Sequence, residues 1–375
     1  MKVLIQRKAL LRLIDRCLPA TTDGVPGHGR SILLMADKDP DELRASAVGM
    51  TLAIDTCQPA KVLETGQTVV EAPKFRSLVE ALPDEEVALR VTAERVTVSA
   101  KSRRYSMAIF GPNFPAVPDL GETATPYRVP TDALGRVLSA TAFAMDDAQG
   151  HEHLNGVLLG LEPGQLRGVA LCGSRGAHCS VEAAVTIDPV RGPREVFVPA
   201  ILHRSLRALC EETKSLRVDF DGHHVYFEND DTLVVALLPN ASFPNWRAVM
   251  DKDAAVACTL DGPALLDSVR AMLTAASQPV VMELDVEERV LRLSLPYASE
   301  GEGSDELPVT VERDASLNAA FNTAYLAKAL TETGVVTLSC AGELEPLWIA
   351  SQDKRFYALI MPLRLQGPVP KEEGK

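Results

Sequence analysis

No apolar run in this 375-residue sequence approaches the roughly 18 residues needed to cross a bilayer, so no membrane-spanning helix is expected. The start, Met1-Lys2-Val3-Leu4-Ile5-Gln6-Arg7, returns to charge after a short apolar run and does not read as a secretory leader. Cysteine is scarce and irregular. The seven residues, Cys17, Cys57, Cys172, Cys179, Cys210, Cys258 and Cys340, are odd in number and scattered, which argues against a disulfide framework and for reduced thiols in a cytoplasmic protein. Positive charge is in deficit: 38 Lys and Arg stand against 51 Asp and Glu, a net charge of −13. An acidic chain repels phosphate, so a general nucleic-acid binder is disfavoured unless the basic residues are gathered in one place.

Catalytic equipment is missing as well. No Gly-x4-Gly-Lys-Ser/Thr phosphate loop and no Gly-x-Ser-x-Gly elbow occurs. His151-Glu152-His153 offers two histidines without a third ligand, and a loop is the plainer reading. Cys172 and Cys179, with His178 between them, match neither zinc spacing nor a nucleophile–base pair. Asp146-Asp147 reads as a helix-end loop, since adjacent side chains diverge. No cofactor, metal or intrinsic catalysis is expected.

What is present is weak internal repetition. In the first third a short helix over 72–82 is followed by alternating strands at 86–90, 95–99 and 105–110, and Asn113-Phe114-Pro115 closes the unit. In the middle third the helix falls at 198–209, the strands at 216–220, 225–228 and 233–238, and the close at Ser242-Phe243-Pro244. In the last third the helix is at 322–331 and the strands at 335–340, 347–350 and 356–361, ending in Met361-Pro362-Leu363-Arg364-Leu365. Each unit also opens with a strand and an amphipathic helix. The first runs over 7–18 with Leu10, Leu11, Ile14 and Leu18 on one face. The second runs over 131–143 with Thr131 or Asp132 as cap, and the third over 261–275. The pattern predicts an α+β protein of three similar domains, residues 1–121, 126–250 and 254–365, with a tail at 366–375. Edge-to-edge pairing of such domains in a two-fold dimer can close a ring.

The terminal Met361–Leu365 motif, Leu154-Asn155-Gly156-Val157-Leu158, Gly173-x-Arg175 and Phe243-Pro244-Asn245-Trp246-Arg247-Ala248-Val249 together resemble the bacterial DNA polymerase III beta subunit, the sliding-clamp family, over essentially the whole chain. The resemblance implies three clamp domains with antiparallel sheets outside and two helices each inside, forming a ring as a head-to-tail homodimer around double-stranded DNA. It implies sequence-independent DNA contact and, as partners, the DNA polymerase III alpha subunit, the clamp loader and other proteins with a clamp-binding motif, with no membrane involved. The peptide groove would be lined by Leu154, Leu171, Gly173, Arg175, Pro244, Val249, Leu359, Ile360, Met361, Pro362, Leu363 and Arg364. Apolar side chains with a flexible methionine suit a site that accepts several related peptides. The family's Thr-Asp-Gly-His-Arg-Leu loop is here Leu171-Cys172-Gly173-Ser174-Arg175-Gly176, and its second basic residue after the Phe-Pro turn is Ala248. A specialised clamp paralogue, or a non-replicative peptide-binding scaffold with altered partners, is the alternative.

Basic residues cluster on the expected helices. Arg7, Lys8, Arg12 and Arg16, then Lys74 and Arg76, then Arg136, His203, Arg204 and Arg207, then Arg270 and Lys328 would line a DNA channel, with Gln149 in a neighbouring loop. Lysine and arginine as ordinary helix formers on solvated faces would give the same pattern. At the dimer seam, Lys74, Arg103, Arg104, Tyr105 and Met107 resemble one edge of the family's interface, and Met272, Leu273, Glu300 and Glu302 the other. The acidic stretch 300–306 reads equally as a solvated loop.

Overall fold

The computed structural model describes residues 1–22, 29–111, 113–119, 127–146, 148–187, 192–250, 256–296, 301–312, 317–331, 333–340 and 344–365. Its strands are joined into antiparallel sheets, with short helices packed on them, so the class is α+β. The helices are α1 (Arg7–Cys17), α2 (Ala72–Glu80), α3 (Thr131–Thr141), α4 (His203–Glu212), α5 (Trp246–Met250), α6 (Gly262–Ala275) and α7 (Thr323–Ala329). These are the helices the repeat predicts, together with the short α5 after the middle Phe-Pro turn.

By internal contacts the chain divides into two compact units. The first holds residues 1–135, 161–164 and 183–240, and the second 136–160, 165–182 and 241–375. The division passes through α3, so the middle repeat contributes to both.

In the first unit a five-stranded sheet runs Lys61–Glu64, Lys2–Gln6, Glu86–Val91, Arg95–Ala100, Arg103–Ala108. An eight-stranded sheet joins the first and middle repeats, because Thr232–Leu237 pairs antiparallel with Leu52–Pro59, Val234 facing Ile54. α1 buries Leu10, Leu13, Ile14 and Cys17, the spacing of one helical stripe. Leu11 and Leu18, expected inside, are half-buried; a stripe starting at Leu10 passes through Leu13 and Cys17 instead. Thr131 does not serve as an N-cap: it is the first residue of α3, and its hydroxyl donates to the Thr213 carbonyl at 2.5 Å.

In the second unit strands follow the order Gln165–Leu171, Arg175–Glu182, Phe356–Ile360, Leu347–Ser351, Val335–Ser339, Val256–Asp261. The middle and last repeats thus share a sheet, with Gly176 opposite Leu359 and His178 opposite Tyr357. A separate sheet runs Ser304–Pro308, Val290–Ser294, Val280–Asp285, Asn318–Phe321. Asp261 and Asn322 cap α6 and α7 through their side chains, accepting from the backbone N–H groups of Ala264 and Tyr325. Among the described residues no helix is long and apolar enough to cross a membrane.

Candidate peptide groove and basic helices

Strand alternation divides the shared sheet of the second unit into two faces. On one, Val169, Leu171 and Leu359 join Trp246 and Met250 of α5 in a buried cluster, with Leu158, Phe243, Trp348 and Tyr357 packed against it. The turn before α5 delivers Trp246 and Met250 one helical turn apart, so both reach the sheet. Gly176 makes this approach possible: a Cβ there would lie 2.7 Å from both the Leu171 Cδ2 and the Met250 Sδ. On the other face α3 presses on the sheet at Gly168, where a Cβ would lie 2.2 Å from the Val137 Cγ1.

The candidate groove residues separate accordingly. Leu171 and Leu359 belong to the buried cluster, while Val249, Met361 and Leu363 are about two-fifths exposed. Pro244, Gly173 and Arg364 are exposed, and Pro362 is half-buried. Met361 is held by its N–H donating to the Ser174 carbonyl at 2.9 Å, and Leu363 by its N–H donating to Ala320 at 2.7 Å. Three expectations change. Arg175 donates to the carbonyls of Phe143 and Met145 and lies 4.2 Å from the Tyr325 ring centroid, so it tethers the turn after α3 and does not line the apolar wall. Ile360 is buried beside Arg175's position in the register, on the face away from Leu359. Leu154 is half-buried and outside the cluster.

Sequence reasoning did not single out the aromatic part of this wall. His178 stacks on Tyr357 with ring centroids 4.3 Å apart and lies 5.7 Å from Trp246. The guanidinium groups of Arg247 and Arg167 stand 4.3 and 5.2 Å from the Trp246 ring centroid. Burial, with the nearby charges of Arg167 and Arg247, pushes the His178 pKa down to about 4, so the ring is neutral at neutral pH. The signal was the Trp246-Arg247 pair inside the Phe-Pro motif; its partners Arg167, His178 and Tyr357 come from distant strands.

The basic helices differ between the two units. In the first, Arg16 has a side chain only 7% exposed and is ion-paired with Glu212 and with Asp231, the latter at 3.1 Å. It also donates to the hydroxyls of Thr56 and Thr232. Arg12 pairs with Glu212 at 2.8 Å. Burial pushes the Glu212 carboxyl up, but hydrogen bonds from Arg12 and Arg16 outweigh it and hold the group below its ordinary pKa. Arg7 donates to the carbonyls of Glu80 and Leu82 at the end of α2, Lys8 pairs with Asp84, and Arg76 pairs with Asp15 and Glu80. Two expectations are corrected here. Arg16 is an interior ion-pair residue, and His203, whose burial lowers its pKa to about 4, is a neutral ring. Lys74, Arg204 and Arg207 are exposed. In the second unit Arg136, Arg270, Lys328 and Gln149 are exposed.

At the expected seam, Arg103 and Arg104 are exposed and Tyr105 half-exposed on Arg103–Ala108, the last strand of its sheet. In the second unit Ser304–Pro308 is likewise a terminal strand, Glu302 is exposed and Leu273 half-buried. Met107 and Met272 are 5% and 4% exposed, so the chain's own core covers them and they offer no free contact surface. Glu300 lies outside the described residues, as do Asp147 and the tail 366–375.

The weak catalytic candidates take ordinary places. His151 Nδ1 lies 2.8 Å from Asp146, whose carboxyl is held below its usual range first by the Ala148 N–H and then by His151. Among the described residues no group of three or more His, Cys, Asp and Glu is placed to hold a metal. Cys179 is buried and Cys172 contacts the Ser174 hydroxyl at 3.5 Å.

Residues 128–245 match the family DNA polymerase III beta subunit, central domain. Along the chain, the beta sliding clamp of Pseudomonas aeruginosa is 25% identical over 333 residues, covering 86% of this chain and 87% of that one. That of Synechococcus elongatus is 24% identical over 372 residues, covering 95% and 96%. The crystal structure of the DNA polymerase III beta subunit from Thermotoga maritima superposes with a TM-score of 0.85 over 97% of this chain and 100% of that one, at 21% identity. The fold is therefore the repeated α+β architecture of the clamps. Residues 128–245 carry the central domain of the DNA polymerase III beta subunit, and most of the chain is similar to beta sliding clamps.

Proposed function

We propose that this chain is the DNA sliding clamp of a bacterial DNA polymerase III. It is an accessory subunit that gives processivity by encircling duplex DNA as a head-to-tail homodimer in the cytoplasm. It catalyses nothing itself. A closed ring cannot leave DNA sideways, so weak, sequence-independent phosphate contacts suffice and sliding stays fast. The three-domain division at 1–121, 126–250 and 254–365 belongs to this reading, as does peptide capture from the polymerase alpha subunit, the loader and repair factors. The observation that carries it is kinship with beta sliding clamps along 86–95% of the chain. The groove is supported by three exposed apolar residues, Val249 next to Met250 of the buried cluster, and Met361 and Leu363 just after Leu359 of the same cluster in the chain. The ring closure is supported by two terminal strands, Arg103–Ala108 with exposed arginines and Ser304–Pro308 in an acidic stretch, whose charges complement each other.

Light scattering over a dilution series tests the ring, and a stable mass of twice 40.4 kDa is expected. Retention on nicked circular DNA, with release on linearisation, tests encirclement. A monomer at working concentrations, or retention indifferent to linearisation, removes the topological mechanism. One observation favours a second reading, a peptide-binding scaffold that does not hold DNA: Arg7, Lys8, Arg12, Arg16, Arg76 and Arg207, six of the eight expected channel cations of the first unit apart from His203, are engaged by groups of the chain itself.

A further inference from the structure

We infer that the first unit holds a discrete site for one small, singly charged oxyanion, in a cavity between α1 and α4. The cavity measures about 60 Å³, room for one tetrahedral oxyanion or for about two waters. Arg16 of α1 and Ser205 of α4 both line it, and each carries an unfinished polar atom. Arg16 Nε and Ser205 Oγ are buried with no hydrogen-bond partner; the Arg16 side chain is 7% exposed and Ser205 8%. The end nitrogens of Arg16 are taken by Glu212, Asp231, Thr56 and Thr232, which leaves Nε. A serine inside a helix ordinarily returns its hydroxyl to the carbonyl four residues back, as Ser77 does to Pro73 and Ser268 to Ala264. Ser205 does not. Buried polar atoms without partners are uncommon in folded chains, and two on one cavity mark a place for a further group. The cavity is open to such a group, because exposed Asp15, Arg204 and Ala208 line it too.

A guanidinium nitrogen can only donate, so the occupant must bring an acceptor, and a cation is excluded. Charge decides between water and an anion. Around the cavity the charges cancel: Arg12 and Arg16 stand against Glu212 and Asp231, and Arg76 against Asp15. Arg204 is left over, exposed and in no ion pair among the described residues. Water completes the two buried atoms and leaves that charge uncompensated. A singly charged oxyanion completes both atoms and balances Arg204 through charge-assisted hydrogen bonds. A second negative charge would find no cation left and would face Asp15, Glu212 and Asp231. The rest of the wall, Pro19, Ile54, Leu209 and Val234, is apolar, which strengthens each polar contact made inside. Such a site differs from a phosphate contact on an exposed helix face, since a buried guanidinium and a buried hydroxyl from two helices enclose the anion.

The test is a phosphorus NMR line-broadening titration on the full chain without DNA, with inorganic phosphate and with dimethyl phosphate, at ionic strength held constant with chloride. Saturable binding with a Kd on the order of 1 mM is expected. Arg204→Gln, at an exposed position, should weaken it about tenfold, and Ser205→Ala about fivefold. Ser205→Ala also removes an unpartnered buried hydroxyl, so its Tm without phosphate should hold or rise while the gain in Tm on adding phosphate shrinks. Dimethyl phosphate separates two sources of the same chemistry. If it binds as phosphate does, and both variants lower retention on nicked circular DNA, the site takes a backbone phosphodiester. If it is rejected, the site takes free phosphate. Absence of saturable binding by either anion overturns the inference and leaves water in the cavity. Binding that both variants leave unchanged also overturns it, since the anion would then sit elsewhere. The free-anion titrations need neither DNA nor a closed ring, so their failure and that of the clamp reading are told apart.

Discussion

Helices α1 and α6 occupy corresponding places in the first and last repeats, and both carry arginine away from the core, yet their charges end differently. On α1, Arg12 and Arg16 meet Glu212 of α4, and Arg16 also reaches Asp231 and the hydroxyls of Thr56 and Thr232. On α6, Arg270 is exposed, and among the described residues its side chain has no ion pair; Lys328 of α7 is the same. A basic residue in a helix pattern is thus not yet a basic surface. Its field is available to DNA only where no carboxylate from a distant segment folds onto it. In this chain the first repeat spends arginines on joining its helix to the middle repeat, and the last repeat keeps its cations outward.

The comparison breaks most readily at Arg16. Arg16→Ala leaves Glu212 and Asp231 facing one another across a largely buried site and should cost about 3 kcal/mol. Thermal unfolding reads this as a clear fall in Tm. If Tm holds within about a degree, the ion pairs of Arg16 with Glu212 and Asp231 contribute nothing to stability. Smaller, and set by pH, is the effect of the two neutral histidines. His203 and His178 have folded pKa values of about 4 against an ordinary 6.5. A histidine with a lowered folded pKa costs nothing above pH 6.5 and destabilises as pH falls from 6.5 toward 4, because only the unfolded chain takes up the proton. Each should remove about 2 kcal/mol between pH 7.5 and pH 5. A His203→Gln chain should lose less Tm over that interval than the parent, and parallel curves would count against a buried neutral ring.

The two faces of the shared sheet offer a sharper contrast. Gly168→Ala drives a methyl group into the stiff, branched Val137 and should cost about 2 kcal/mol, whereas Gly176→Ala meets only the mobile ends of Leu171 and Met250 and should cost less than about 1 kcal/mol. Urea titration of the pair decides it, and equal losses would mean that α5 is packed as rigidly as α3. The smallest effect on stability is expected for Arg270→Glu combined with Lys328→Glu, within about 0.5 kcal/mol, because both are exposed. DNA retention should nevertheless fall, with the salt slope reduced by about 2. Unchanged retention would move the DNA contact away from these helices or favour the scaffold reading.

Much of the architecture could be read from pattern. The strand–helix openings, the second helices and the strands after them fall within a few residues of their expected places, because period 2 and period 3.6 are local properties of the chain. The strands at 31–71, 156–182 and 280–321 were not delineated, since buried middle strands such as Gln165–Leu171 lose the polar alternation that marks them. The groove was half legible. Leu171, Leu359 and the Met361–Leu365 motif were named, but Ile360 and Arg175 belong to the opposite face of the same strands, a parity that a motif string does not carry.

Composition and period already carry the repeated α+β pattern, the acidic balance and the apolar residues that have to find a common core. Burial of those residues follows from composition and period, which are local. Tertiary structure alone decided which charges survive. Glu212 reaches Arg16 across 196 residues of chain, and Arg167, His178 and Tyr357 are brought to Trp246 by strand pairing. Coulomb attraction and hydrogen bonding depend on distance and burial, and neither exists until the chain has folded.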